Sequence, residues 1–101
     1  MIATTATGSL KAEMAPGDIV ILDDFIDRTK NRTCTFYDGS ETSETGVCHI
    51  PMSPAFDERT RQVVIDTAKE IGIQVHSKGT AVSIEGPRFS TKAESHLYRE
   101  F

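Results

Sequence analysis

The hydrophobic pattern of the chain changes period several times, and each change marks an element. Ile2 to Ala6 is a short β-prone segment running into Thr7-Gly8-Ser9, a cluster of turn formers. Leu10 to Met14 has the composition of a single helical turn, and Pro16-Gly17 is a strong turn signal. Asp18 to Phe25 follows, with the aliphatic run Ile19-Val20-Ile21-Leu22 at its centre. Such a run, bounded by turn residues, predicts a strand buried on both faces and favours an α/β fold over an all-β sandwich.

From Asp27 to Pro54 the periodicity vanishes, yet the stretch keeps Phe36, Tyr37, Cys34, Cys48 and His49. It is not low-complexity, so it reads as an ordered loop serving a site or a subunit contact. Helical spacing then predicts a helix from about Phe56 to Ile71, with Thr60, Val64, Ala68 and Ile71 on one stripe and Thr67 beside them. Arg59, Arg61, Asp66, Lys69 and Glu70 fall largely outside that stripe. Ser53-Pro54 supplies a start, Asp57 and Glu58 suit the first turn, and Gly72 ends the helix. Ile73 to His76 and Thr80 to Glu85 read as strands, separated by Lys78-Gly79 and closed by Gly86-Pro87. The string Thr91-Lys92-Ala93-Glu94 fits a capping box and opens a last helix that runs off the end. Ile2 begins the chain inside a strand-like pattern and Phe101 closes it inside a helical one. The expectation is therefore residues 1–101 as part of a larger domain; a compact domain with a short edge strand is the alternative.

Composition narrows the classes. The net charge of −4 weighs against nucleic acid, because phosphate backbones need a basic face. The longest aliphatic run is far short of the ~20 residues that span a bilayer, and the first residues lack the basic and apolar regions of a secretory signal. Two Cys do not make a disulfide scaffold. The balance is that of a cytosolic, acidic, globular chain.

Three places could carry chemistry. Thr4-Thr5-Ala6-Thr7-Gly8-Ser9 would offer backbone amides and hydroxyls to an oxyanion such as phosphate at the end of a strand; from pattern alone an ordinary Thr-rich strand and turn is the favoured reading. In Ile84-Glu85-Gly86-Pro87-Arg88-Phe89-Ser90, the Gly-Pro exit throws Phe89 and Ser90 onto a loop entering a helix. Phe89 there can stack on a flat ring and Ser90 can hydrogen-bond a ligand, or Phe89 is core and Ser90 a cap. His49 lies in Gly46-Val47-Cys48-His49-Ile50-Pro51, with His76 and His96 far off, so no metal-ligand spacing arises. Cys34 and Cys48 are too far apart for a Cys-x-x-Cys redox pair.

Read together, Thr4-Thr5-Ala6-Thr7-Gly8-Ser9-Leu10, Pro16-Gly17-Asp18-Ile19-Val20, Asp24-Phe25-Ile26-Asp27-Arg28-Thr29, Phe36-Tyr37-Asp38-Gly39, Gly46-Val47-Cys48-His49-Ile50-Pro51-Met52 and His76-Ser77-Lys78-Gly79-Thr80 through Ile84-Glu85-Gly86-Pro87-Arg88-Phe89-Ser90 resemble the methylthioadenosine phosphorylases. These form part of the trimeric branch of the purine nucleoside phosphorylase family. The resemblance covers essentially the whole chain in order. It implies an α/β fold, a mixed central sheet flanked by helices, of which this chain holds only some strands. It implies phosphorolysis of S-methyl-5′-thioadenosine to adenine and 5-methylthioribose 1-phosphate, in purine and methionine salvage. Phosphate is a co-substrate, and no organic cofactor or metal is implied.

By motif, Thr5 and the Ala6 backbone resemble phosphate ligands, with Thr7 and Gly8 shaping the same turn near the nucleoside. Phe89 resembles the purine-stacking aromatic. Ser90 stands where relatives acting on 6-oxopurines carry Glu in a Gly-Pro-x-Phe-Glu string, which makes adenine the expected base. His49 resembles a residue lent by a neighbouring subunit to the methylthio end of the pocket, implying a homotrimer. The implied location is the cytoplasm, with the nucleus as a second. The family's Gly-rich phosphate loop, its Arg-His phosphate pair, its Met-Thr string and its adenine-protonating Asp pair have no counterpart in these residues, so no catalytic residue is assigned. The rival expectations are a phosphorylase of 6-oxopurine nucleosides and a truncated, non-catalytic subunit that only binds partners.

Overall fold

Two stretches of chain, 19–28 and 75–84, run side by side in parallel and form the frame of the protein. The computed structural model describes all 101 residues. Its elements are β1 (Ile19–Val20), β2 (Asp24–Arg28), α1 (Glu58–Glu70), β3 (Val75–His76), β4 (Thr80–Ile84) and α2 (Lys92–Glu100). β1 pairs with β3 through Ile19–Val75 and Val20–His76. β2 pairs with β4 from Asp24–Thr80 to Arg28–Ile84. The register is the same on both sides, so the two small ladders are one parallel pairing interrupted at matching places, 21–23 and 77–79. A parallel pair needs a long crossover, and the loop and α1 supply it.

The break is held open by α1. Arg61 Nε donates to the Leu22 carbonyl at 2.7 Å and Arg61 Nη2 to the Ser77 carbonyl at 2.6 Å. Both carbonyls belong to the interruption, and Glu58 balances the charge through Arg61 Nη1. The chains stay together across the gap: Ile21 N–H donates to the His76 carbonyl at 2.8 Å and Asp23 N–H to the Gly79 carbonyl at 3.1 Å. Asp23 Oδ1 in turn accepts from Gly79 N–H at 3.1 Å. A side chain at Gly79 would run into Val20 Cγ1, so glycine allows the strands to close here.

Sequence dictates both helices locally. Asp57 caps α1 by accepting from Thr60 N–H at 2.8 Å. Asp57 is thus the cap itself rather than a residue of the first turn. At the other end Gly72 takes φ 74°, with Gly72 N–H bonded to the Lys69 carbonyl at 3.2 Å and Ile73 N–H to the Ala68 carbonyl at 2.8 Å. That pair of bonds is a Schellman stop, which favours glycine at the left-handed position. In α2, Thr91 and Glu94 form the capping box expected from their spacing.

Four expectations are corrected. Ile2–Ala6 forms no strand; it is exposed, with no sheet neighbour to take its backbone groups. Asp18–Phe25 is not one doubly buried strand but two short ones, and Ile19 and Phe25 are exposed. A two-stranded ladder leaves each strand an open edge and cannot cover both faces. Ile73 and Gln74 stay outside β3. Finally, Arg61 faces inward at 8% exposure, whereas Ile71 is exposed: the inward stripe of α1 is Arg61, Val64, Ile65 and Ala68. Only Arg61 and Ala68 are buried outright. The radius of gyration is 16.7 Å, against about 13 Å for a compact chain of this length, so most apolar side chains remain open to solvent. No helix is long and apolar enough to cross a membrane.

Replacing Arg61 by Met removes the donors to the carbonyls of half-buried Leu22 and exposed Ser77, a loss of about 1 kcal/mol for each bond. The expected result is faster hydrogen exchange at the Ile21 and Asp23 amides; unchanged protection there would show that the ladder break holds without the guanidinium.

Candidate functional site

The region between the ladder and α2 contains a cavity of about 330 Å³. Thr7 and Gly8 line it, together with Leu22, Gly79, Thr80 and Tyr98 among others. Lys11 and Arg99 on its wall are matched by Glu13 and Asp18, so the cavity has no excess of positive charge. Asp18 is engaged: its carboxylate lies 2.8 Å from His76 Nε2 and accepts from Ala15 N–H at 2.9 Å. The His76 contact, then the Ala15 amide, lowers its pKa below the ordinary carboxylate value. Thr5 and Ala6 do not line this cavity and are exposed in the N-terminal stretch.

The second cluster is the loop between β4 and α2. The Gly86–Pro87 peptide is cis. Phe89 is 91% exposed, its ring projecting into solvent. Its backbone is not free, because the Phe89 carbonyl accepts from Arg88 Nη1 at 2.9 Å. Arg88 also grips Glu94 with both arms, Nη1 to Oε2 at 2.8 Å and Nη2 to Oε1 at 2.9 Å. Glu94 Oε2 accepts from Thr91 N–H at 2.7 Å, and Thr91 Oγ1 accepts from Glu94 N–H at 3.2 Å. Ser90 is half-buried, its Oγ 2.8 Å from Ser95 Oγ. The Arg88 guanidinium, then the Thr91 amide, pulls the Glu94 carboxyl down to about 2. Reciprocally, Glu94 raises Arg88 above its ordinary value.

His49 is exposed in the long irregular stretch. That stretch is tied to the frame at its start: the Glu85 carboxylate accepts from Lys30 N–H at 2.9 Å and from Asn31 N–H at 3.1 Å. The structure therefore brings Thr7 and Gly8 together at one cavity and Phe89 and Ser90 together on one loop. His49, Phe89 and Ser90 line neither the 330 Å³ cavity nor the open groove of about 770 Å³ beside α1. The sequence reading missed the ties made by Arg88, Glu94 and Glu85. One signal was available: Glu94 is the last residue of the capping box that Thr91 opens, and Pro87 turns Arg88 back toward it.

Residues 1–101, the whole chain, match the Phosphorylase superfamily. The chain belongs to that superfamily. Among curated members it is 65% identical over 101 residues to S-methyl-5′-thioadenosine phosphorylase of Anopheles gambiae, covering 100% of this chain and 36% of that one. To the enzyme of the same name from Xenopus tropicalis it is 59% identical, over 98% of this chain and 35% of that one. Among solved structures it superposes on methylthioadenosine phosphorylase from Schistosoma mansoni in complex with adenine. The TM-score is 0.86 at 40% identity, over 92% of this chain and 39% of that one. The phosphorylase superfamily fold, in part, is thus the α/β fold expected from the pattern. The chain spans about a third of the length of these relatives.

The low Glu94 value sets a pH response for this phosphorylase segment. A carboxyl whose folded pKa lies near 2, below the ordinary 4.5, contributes fully above 4.5 and loses its contribution as the pH falls toward 2. The Phe89–Glu94 amide resonances should hold steady from neutral pH through 4.5 and shift together only as the pH approaches about 2. A Glu94 carboxyl signal titrating at its ordinary value would show that Arg88 does not hold it in solution.

Proposed function

We propose that the chain supplies part of the active site of an S-methyl-5′-thioadenosine phosphorylase. The observation that carries this reading is the 65% identity, over all 101 residues, to a protein of that name. The S. mansoni relative that superposes on the chain was solved with adenine, and another structure of it with tubercidin; both support a purine ligand. In the reaction a phosphate oxygen forms a bond to the anomeric carbon of methylthioribose while the bond from that carbon to the adenine nitrogen breaks. Adenine takes the electron pair and a proton, and 5-methylthioribose 1-phosphate remains. Positive charge gathers on the sugar in the transition state, so catalysis is largely positioning and electrostatics.

In this reading Thr5 and the Ala6 backbone hold phosphate, Thr7 and Gly8 shape the turn beside the sugar, and Phe89 stacks on the base. Ser90 sets the choice of base. His49 is lent to the methylthio end of the substrate pocket of a neighbouring subunit in a homotrimer. Phosphate is the co-substrate and no cofactor takes part. The setting is purine and methionine salvage in the cytoplasm, and also in the nucleus. The exposure of Phe89 and the half-burial of Ser90 on one tethered loop support their roles: a ring without protein partners is available to a ligand, and the hydroxyl beside it is already oriented.

Two experiments test this. The 101-residue chain alone, incubated with methylthioadenosine and phosphate, is expected to release no adenine, since removing a preorganised electrostatic group costs roughly 10²–10³-fold each; turnover near ~10 per second would show that it is a self-sufficient enzyme. In an enzyme of the relatives' full length, Ser90→Glu should lower use of methylthioadenosine by ~1–3 kcal/mol of transition-state binding, because the carboxylate meets a ring-nitrogen lone pair of adenine. The ratio of kcat/KM for methylthioadenosine and inosine decides the matter. An unchanged ratio with a lowered Tm would reduce Ser90 to a structural contact with Ser95, and a wild-type preference for inosine would identify a 6-oxopurine phosphorylase.

A further inference from the structure

We propose that Arg88 and Glu94 are a positioning pair that presets the Phe89 ring and the Ser90 hydroxyl for a purine base. The inference rests on the purine site proposed above and adds what holds it in place.

The loop 86–90 connects a strand end to a helix, and proline restrains only its start, at Pro87. It carries the most exposed ring described above, Phe89 at 91%. A flat exposed ring binds a base well only if its orientation is settled beforehand, since ordering it on binding subtracts from affinity. The structure orders the backbone that carries the ring. Arg88 spends its fork on two targets: the Phe89 carbonyl at 2.9 Å and both carboxylate oxygens of Glu94 at 2.8 and 2.9 Å. A bidentate guanidinium–carboxylate pair fixes an angle as well as a distance. Glu94 belongs to the first turn of α2 and is locked there by Thr91. The peptide that bears Phe89 is thereby referenced to a helix rather than to a loop. Ser90 is tied to the same turn by its 2.8 Å contact with Ser95. Ring and hydroxyl therefore share one rigid reference, which is what reading a base by stacking and by one hydrogen bond requires.

The competing explanation is that Glu94 serves the helix cap and Arg88 is an exposed ion-pair partner of little consequence. The two are separable. Glu94→Gln keeps a side chain suited to the capping box but removes the charge that the fork grips. Arg88→Met leaves the box untouched.

The test uses an enzyme of the relatives' full length, with both variants, their double variant, and titrations of adenine, hypoxanthine and inorganic phosphate. Each single variant is expected to weaken binding of the preferred purine about tenfold while phosphate affinity and Tm stay close to wild type. The double variant is expected to weaken it no further, because either change breaks the same pair. Unchanged purine affinity would overturn the proposal. So would purine and phosphate affinity falling together with Tm, which would mark the pair as structural only. A wild-type preference for hypoxanthine would overturn the adenine reading while the variant-to-wild-type ratio on hypoxanthine still measured the pair. A wild type that binds neither purine would overturn both.

Discussion

The fold depends on one guanidinium. Arg61 leaves the inward face of α1 and fills the interruption of the parallel ladder, bonding the Leu22 and Ser77 carbonyls that no strand partner takes. The gap lets the pairing resume in the same register beyond it, and it brings Gly79 against Val20. The helix is attached to the strands by directed, charge-assisted bonds more than by apolar burial, since Ala68 is the one apolar side chain buried outright. In a chain with so small a core, a few directed contacts decide the arrangement.

The same economy governs the two loops. Glu85, just beyond β4, collects the Lys30 and Asn31 amides and so anchors the start of the long irregular stretch. Three residues later Arg88 turns to Glu94 and anchors the Phe89 loop to α2. Both carboxylates do work that a hydrophobic core does in a larger globule: they give loop backbone a fixed reference. The loops thereby gain order while their side chains, Phe89 above all, remain accessible to a ligand.

Much of this was legible in the residues. The Thr91–Glu94 capping box, the Gly72 stop, the helix that ends there and the β-prone runs around Ile19 and Val82 depend on neighbours within a few positions, and all were read correctly in kind. The chain-long order of motifs identified the superfamily, because many short strings in fixed sequence are specific where each alone is weak. The candidate residues at Thr7, Gly8, Phe89 and Ser90 were visible as turn and loop chemistry. The strand expected at Ile2–Ala6 failed because β propensity without a partner leaves the backbone unpaired. The split of the Ile19–Phe25 run failed to show because a ladder break depends on what lies across it.

Local spacing by itself thus determined the two helices, the Thr91–Glu94 box and the Gly72 stop, and the chain-long order of motifs pointed to the family. Tertiary structure alone decided that Arg61 is buried, that residues 19–28 meet 75–84 in one interrupted register, and that Arg88 reaches Glu94 around the Pro87 turn. The reason is physical. A charged residue on a helix is read as solvated unless an unpaired carbonyl waits opposite it, and such a carbonyl appears only when segments more than fifty positions apart in sequence come together.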